Sequence, residues 1–248
     1  MSSLKAAYMN EIYKISKKKK LVVAALLSIA AVFVAALIVT VFHNFTGVKI
    51  TGSSEFAILV LSVLIYTLIP LFTAFVCIDM INGEWGGEKT IKLTLTQPAS
   101  RLKVYTSKML AAATFILGNL LFVMVVAIIG SFFVKNSMLS IGSVVAAYLA
   151  SFFPLLIFAL FVMVVSNLAR GSASAFLITV VAFLALNGLG LMFPTYQSFL
   201  FTATFDWYTL FIGSFINVHK ILRVFFIIAG YGVTLFSLGY FLFERKDV

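Results

Sequence analysis

Six long runs without a charged residue restrict this chain more than any other feature of its sequence. A helix needs about 20 apolar residues to cross roughly 30 Å of hydrocarbon. From these runs we predict six spans, which cover residues 21–42, 56–78, 109–134, 141–168, 172–193 and 222–243; the charge-free part of the last span begins at Val224. Only 10% of the residues are charged, whereas a soluble domain carries about 25%. The sequence therefore predicts an all-α integral membrane protein, with residues 1–248 forming a single transmembrane domain.

Two of the predicted spans contain a proline, Pro70 and Pro154. Proline cannot donate a backbone hydrogen bond and its ring crowds the preceding turn. We therefore expect both spans to be kinked.

The cations predict the orientation of the spans. If the N-terminus is cytoplasmic, the inner segments are 1–20, 79–108, 169–171 and 244–248, and they hold fourteen of the 18 Lys and Arg residues. Positive residues accumulate on the cytoplasmic side of membrane proteins. The distribution therefore places both termini in the cytoplasm.

The first twenty residues predict a short amphipathic helix on the inner leaflet. Its apolar positions recur at helical spacing, at Leu4, Tyr8, Ile12 and Ile15. Its charged positions lie off that line, at Lys5, Glu11, Lys14 and Lys17. The alternative is a disordered basic tail.

The segment 194–219 is too apolar for a free loop, because it combines eight aromatic residues with a single charge, Asp206. A seventh span here would place the C-terminus outside, which the cation distribution disfavours. We therefore predict re-entrant or interfacial helices at the outer face.

Residues that carry chemistry are scarce. There is no Walker A motif, no catalytic arrangement of nucleophile, base and acid, and no metal-ligand cluster around His43 or His219. Cys77 lies in an apolar run, as a packing residue does. The predicted span centres also lack the acids that ion-driven carriers commonly use. Energy for any transport is therefore expected from outside this chain.

Three asparagines are the candidate polar residues of a translocation path: Asn119, Asn167 and Asn187. Hydrogen bonds between helices are the alternative use for such side chains.

The polar insert after the second span reads "DMINGEWGGEKTIKLTLTQPASRLKVYTSKML". It runs from acids through a threonine and a leucine-rich turn to Pro-x-Ser-Arg and a lysine that opens the third span. These positions are filled by Glu84, Glu88, Thr90, Leu93, Leu95, Pro98, Ser100, Arg101 and Lys108. The insert resembles the pattern of the ABC type-2 permease family. Lys89 departs from the pattern, because a glycine usually precedes the threonine. The ending "FLFERKDV" is also similar to this family.

The resemblance implies that loop 79–108 forms a cytoplasmic coupling helix that docks on a separate ATPase. The implied ATPase-coupling residues are Glu84, Glu88, Thr90, Ile91, Leu95, Pro98 and Arg101, with Lys108 at the start of the third span. The alternation in "TIKLTLT" is instead typical of a strand. A further alternative is that the lysines and arginines of the loop are ordinary positive-inside residues.

The implied function is the permease subunit of an ATP-driven exporter in a bacterial cytoplasmic membrane. Two ATPase subunits would hold ATP and Mg, this chain would bind no cofactor, and a second permease copy or a sister chain would complete the complex. Lipid is an expected partner and nucleic acid is not. The insert is similar in style to permeases of lantibiotic, bacteriocin and bacitracin immunity or peptide export, which suggests an amphipathic peptide, antimicrobial or lipid-like cargo. The alternative is a non-transporting membrane anchor or sensor that recruits a cytosolic partner.

Overall fold

The computed structural model describes residues 4–46, 56–87, 100–134, 141–212 and 218–245. Helices account for nearly all of these residues, and none of them lies in a β-strand. Long apolar segments become helices because hydrocarbon offers no partner for backbone N–H and C=O groups, so each segment must satisfy its own. The predicted all-α class is confirmed for the part of the chain that the structure describes.

The α-helices in chain order are α1 (Leu4–Lys17), α2 (Lys19–Thr46), α3 (Phe56–Leu64), α4 (Leu68–Ile78), α5 (Arg101–Ser131), α6 (Ile141–Leu168), α7 (Ser172–Met192) and α8 (Val218–Arg245). A π-helix, Asp79–Gly87, continues directly from α4. A single α-helical turn, Pro194–Gln197, and a 3₁₀ helix, Phe201–Phe211, lie between α7 and α8.

Five of these helices, α2, α5, α6, α7 and α8, are long and apolar enough to cross a membrane. Helices α3 and α4 together form a sixth candidate span if the bent pair is counted as one. The bounds of α6 agree with the predicted span, whereas α5 starts eight residues before its predicted span and α8 also extends beyond its own. Hydropathy marks only the part of a helix that lies in hydrocarbon, so a helix that continues into the polar boundary is longer than its apolar run.

The second span is bent by 45° where α3 ends and α4 begins. The break at residues 65–67 lies in the turn before Pro70. Pro70 has no N–H to offer the carbonyl of Tyr66, four residues earlier, so the hydrogen-bond ladder is interrupted at this point. The hydroxyl of Thr67 donates instead to the Val63 carbonyl at 2.8 Å. Helix α6 runs through Pro154 without a break, and its predicted kink stays a prediction.

Helix α6 is the centre of the bundle and contacts α4, α5, α7, α8 and the 3₁₀ helix. In its most apolar window 72% of the residues are buried, compared with 6% in α8. A helix that is apolar on all sides can be buried on all sides, and α6 has no charged residue. Helices α3, α4, α5, α7 and α8 pack against α6, and α2 packs against α5. Apolar side chains remain at the outer surface of the bundle.

The aromatic segment before α8 is helical in two places and packs against α6. Phe201, Phe205, Trp207 and Tyr208 are buried by this packing. Burial raises the pKa of Tyr208, and the nearby carboxylate of Asp206 raises it further, so this hydroxyl stays neutral. The segment is helical at the turn and the 3₁₀ helix, and residues 213–217 lie outside the described residues. Its predicted re-entrant or interfacial position at the outer face stays a prediction.

Candidate functional site

The predicted coupling loop is described only at its two ends. We call the π-helix, residues 79–87, the loop start, and residues 100–108 the loop end. Five of the predicted coupling residues lie between them, outside the described residues: Glu88, Thr90, Ile91, Leu95 and Pro98. Glu84 lies in the loop start, and Arg101 and Lys108 lie on α5. The coupling helix therefore stays a prediction, but the contacts of both loop ends define a site.

Lys108 lies in a buried ionic cluster that joins three elements, which are α1, the loop start and α5. It is the eighth residue of α5, and its side chain is 0% exposed, with Glu11 of α1 at 4%. The ammonium nitrogen of Lys108 is 3.2 Å from a carboxylate oxygen of Glu11, and it donates to the backbone carbonyl of Met80 at 3.0 Å. An unpaired charge in such a place would cost several kcal/mol, roughly as much as breaking a buried ion pair. The cluster therefore holds α1, the loop start and α5 together.

The orientation of α1 differs from the prediction in one respect. Ile15 is buried, and Tyr8 and Ile12 are half-buried against the core, as the helical spacing predicts. Glu11 was predicted to lie off the apolar face, but it is buried, while Leu4 is exposed. The carboxylate enters the interface because Lys108 provides the opposite charge there.

A second ion pair connects the corner between α1 and α2 to the loop start. The ammonium nitrogen of Lys18 is 2.6 Å from a carboxylate oxygen of Asp79, and both side chains are partly exposed. Lys18 interrupts the helix, and its backbone N–H donates to the Ile15 carbonyl at 3.1 Å. Gly83 lies one turn after Asp79, and a Cβ there would come within 3.0 Å of the same carboxylate. A side chain at this position would therefore crowd the ion pair.

The loop end contacts the last helix of the chain. A guanidinium nitrogen of Arg101 donates to the backbone carbonyl of Glu244, in the last turn of α8. Unpaired carbonyls and the helix dipole make a helix C-terminus a favourable place for a cation. Four residues further along α5, the buried ring of Tyr105 packs at centroid distances of 5.4 and 5.6 Å from Phe236 and Phe243 of α8.

Gly239 is required where α5 meets α8. A Cβ at this position would overlap the hydroxyl of Tyr105. The backbone carbonyl of Gly239 also accepts a hydrogen bond from the side-chain amide of Asn167, at 3.4 Å. This close approach places the ends of α5, α6 and α8 against one another beside the loop end.

The three asparagines of the predicted path have different surroundings. Asn167 contacts α8, and Asn187 donates to the Phe183 carbonyl of its own helix at 2.8 Å. Asn119 is buried on α5, and its amide nitrogen has no hydrogen-bond partner. Asn167 therefore makes the contact between helices that was the alternative use. A path lined by these residues stays a prediction.

Other chemistry-bearing groups are few in the described part of the chain. No three His, Cys, Asp or Glu side chains among the described residues lie close enough to hold a metal ion. Cys77 is a buried free thiol in the core of α4.

A bundle of five or six bilayer-length helices, with an ionic cluster where a cytoplasmic loop was predicted, defines a multi-pass membrane protein. Residues 9–187 match the family described as ABC-2 family transporter protein, and the chain belongs to that family. None of the curated proteins matches the chain.

Family membership defines the role of the chain at a coarse level. The protein is a membrane-spanning permease subunit of an ABC transporter, a transport subunit and not a catalytic one, and an ABC ATPase is its implied partner. The matched residues include Glu11 and Lys108 of the cluster and Asp79 of the second ion pair, whereas α8 lies beyond them. Glu11 was missed by the sequence analysis. Its available signal was that no other acid occurs among the first 54 residues.

Proposed function

We propose that this permease is part of an exporter in a bacterial cytoplasmic membrane, with both termini in the cytoplasm. Two ATPase subunits, which bind ATP and Mg, would dock on the loop between α4 and α5 of this chain and of a second copy or a sister permease. The coupling residues of that loop would be Glu84, Glu88, Thr90, Ile91, Leu95, Pro98 and Arg101. Lys108 would contribute through its buried contacts, which hold the loop start and the loop end together.

The observation that carries this proposal is that both ends of the loop contact other parts of the chain. The loop start contacts Lys108 of the loop end through the Met80 carbonyl, and Lys108 pairs with Glu11 of α1. The loop start also contacts the α1–α2 corner through Asp79 and Lys18. The loop end contacts α8 through Arg101. A displacement of the loop by an ATPase would therefore move the first and last helices as well as α4 and α5.

Helix α4 connects the loop to the middle of the second span. Its C-terminal end continues into the loop start, and its N-terminal end is the break at residues 65–67. At the break, the ring of Tyr66 lies 5.5 Å from the ring of Phe205 in the 3₁₀ helix, and Asp206 lies within electrostatic reach of it. Bending at the break would let α4 change its tilt while α3 stays in place. This arrangement supports a transport role in which the loop and the outer aromatic segment move together.

The absence of charged residues from the predicted span centres supports one class of cargo. The predicted span centres contain no Asp, Glu, Lys or Arg, so a strongly charged solute would find no fixed charge to replace its water. An amphipathic peptide, an antimicrobial or a lipid-like compound would lose less hydration on entering such a pathway. We therefore propose this cargo class, with self-protection against an antimicrobial peptide as the narrower proposal.

The test is reconstitution of the chain with the ABC ATPase that copurifies with it. We expect ATP hydrolysis that rises when an amphipathic cationic peptide is added, and ATP-dependent uptake of a labelled peptide into inside-out vesicles. Peptide movement without any ATPase would refute the proposal. The anchor or sensor function would instead be favoured if the ATPase binds but no cargo tried changes its rate of ATP hydrolysis or is taken up by the vesicles.

A further inference from the structure

A cavity of about 400 Å³ lies in the angle between α1, α2 and α5. Ile12 and Ile15 of α1, Ala25 of α2, and Phe115 and Asn119 of α5 are among the residues that line it. Its volume falls within the range of roughly 300–1,000 Å³ that is common for ligand sites. The cavity is open on one side, so it can exchange its contents with the surrounding bilayer.

Asn119 brings to the lining of this cavity a buried amide nitrogen without a hydrogen-bond partner. Two other polar residues of the lining, Ser16 and Thr114, already have partners: Ser16 donates to the Tyr13 carbonyl at 2.9 Å, and Thr114 lies 2.8 Å from the hydroxyl of Tyr8. Asn119 is only 9% exposed, and its amide nitrogen has no partner. An amide in a hydrocarbon environment without a hydrogen bond costs several kcal/mol. The amide nitrogen is itself buried in this structure, so it can donate to a group in the cavity only after a half-turn about its last side-chain bond exchanges the nitrogen with the oxygen.

Charged residues lie next to the cavity. Ile15, Leu21 and Phe115 also border a smaller cavity of about 40 Å³, whose other lining residues include Glu11, Lys14, Lys18 and Asp79. The apolar cavity therefore adjoins a region that carries both signs of charge. An apolar space, a polar amide and a charged region therefore lie near one another. They match a molecule with an apolar chain, a polar linkage and a charged head.

We propose that the cavity binds a diacyl glycerophospholipid from the leaflet in which α1 lies. One acyl chain fills the space between α2 and α5, an ester carbonyl accepts a hydrogen bond from the Asn119 amide, and the headgroup lies beside Lys14 and Lys18. Asn119 follows Thr114 by five residues, which is about 7.5 Å along a helix. The linkage therefore lies just inside the level at which α1 contacts α5. This site does not depend on the direction of transport or on the cargo.

Two pairs of matched variants test the site. Gly118 lines the cavity, and a Cβ there meets no atom within 4 Å, so Gly118→Leu places its side chain in the open space. Gly232→Leu is the control, because a Cβ at Gly232 of α8 also meets no atom within 4 Å. Asn119→Leu removes the amide, and Asn187→Leu makes the same change where the amide donates within its own helix.

The probe is a phosphatidylcholine with a photoreactive acyl chain, in nanodiscs of phosphatidylethanolamine and phosphatidylglycerol. After irradiation, mass spectrometry compares labelling of the α5 peptide that contains residues 114–122 with labelling of α8. We expect the wild type to be labelled several-fold more on α5 than on α8. Gly118→Leu should reduce α5 labelling to the level of α8, and Asn119→Leu should reduce it about threefold, the average effect of a hydrogen bond inside a membrane protein. The two control variants should match the wild type.

Equal labelling of α5 and α8 in the wild type would overturn the proposal. So would an equal effect of Gly118→Leu and Gly232→Leu, since the cavity would then have no special role. If Gly118→Leu does not fold, Ala25→Phe fills the same space from the α2 side and is expected to give the same loss.

Discussion

Removal of either partner of the buried Glu11–Lys108 pair should destabilise the permease strongly. The two side chains are 4% and 0% exposed, and their charged atoms are 3.2 Å apart. Loss of one partner of a buried ion pair typically costs about 3–5 kcal/mol, because the remaining charge stays in a low-dielectric interior. We therefore expect Glu11→Gln and Lys108→Met each to lower the unfolding midpoint of the protein in nanodiscs by roughly 10 °C.

Lys14 provides the matched control for this prediction. Its ammonium nitrogen lies 3.4 Å from the same carboxylate oxygen, but its side chain is 28% exposed. An ion pair in contact with water contributes at most about 1 kcal/mol. Lys14→Met should therefore change the midpoint by no more than about a third of the Lys108→Met effect.

The double variant gives the decisive comparison. Replacing both members of a buried pair by apolar side chains of similar volume is often neutral or stabilising. Glu11→Leu combined with Lys108→Met should therefore be more stable than Lys108→Met alone, although it loses one more charged group. Additive losses in the double variant, or equal effects of Lys14→Met and Lys108→Met, would refute the argument that burial decides the strength of this cluster.

Three further outcomes follow from the loop ends. Gly239→Ala should destabilise the protein by about 1–3 kcal/mol through overpacking, and Tyr105→Phe in the same chain should recover part of that loss in a thermal unfolding assay, because the Cβ would overlap the tyrosine hydroxyl. Arg101→Glu should lower both the amount of ATPase that copurifies and the export rate. The same charge reversal at the exposed Arg170 should leave both quantities unchanged. If the two variants behave alike, the cations of the loop are ordinary positive-inside residues. Asp79→Asn should reduce stability by no more than about 1 kcal/mol, yet lower the amount of cargo moved per ATP hydrolysed; unchanged transport would argue against a role of this ion pair in coupling.

The spans could be predicted because they depend only on the length of charge-free runs along the chain. A charge-free run of bilayer length must become a helix, and α6 has the predicted bounds for that reason. The break in the second span was also foreseeable in kind, because Pro70 removes a backbone donor. Its position at residues 65–67 follows from the hydrogen bond that proline leaves unmade one turn earlier.

The ionic cluster could not be predicted because its members are distant in the chain. Glu11 and Lys108 are 97 residues apart. Helical spacing alone assigned Glu11 to the polar side of α1, because a helical pattern contains no information about a charge on another helix. Similarly, the resemblance implied only a role in ATPase coupling for Arg101, and the structure adds a contact to the Glu244 carbonyl of the same chain. A guanidinium has five N–H donors, so this contact leaves donors for a partner.

The contacts of the loop ends restrict how such permeases can diverge or be recombined. A loop transplanted from a relative to change the ATPase it recognises would meet foreign surfaces at both of its ends, one made by Lys18 and Glu11, the other by the last turn of α8. Functional chimaeras should therefore require the N-terminal helix and the C-terminal turn to be exchanged together with the loop. Three segments far apart in the sequence would then be inherited as one unit.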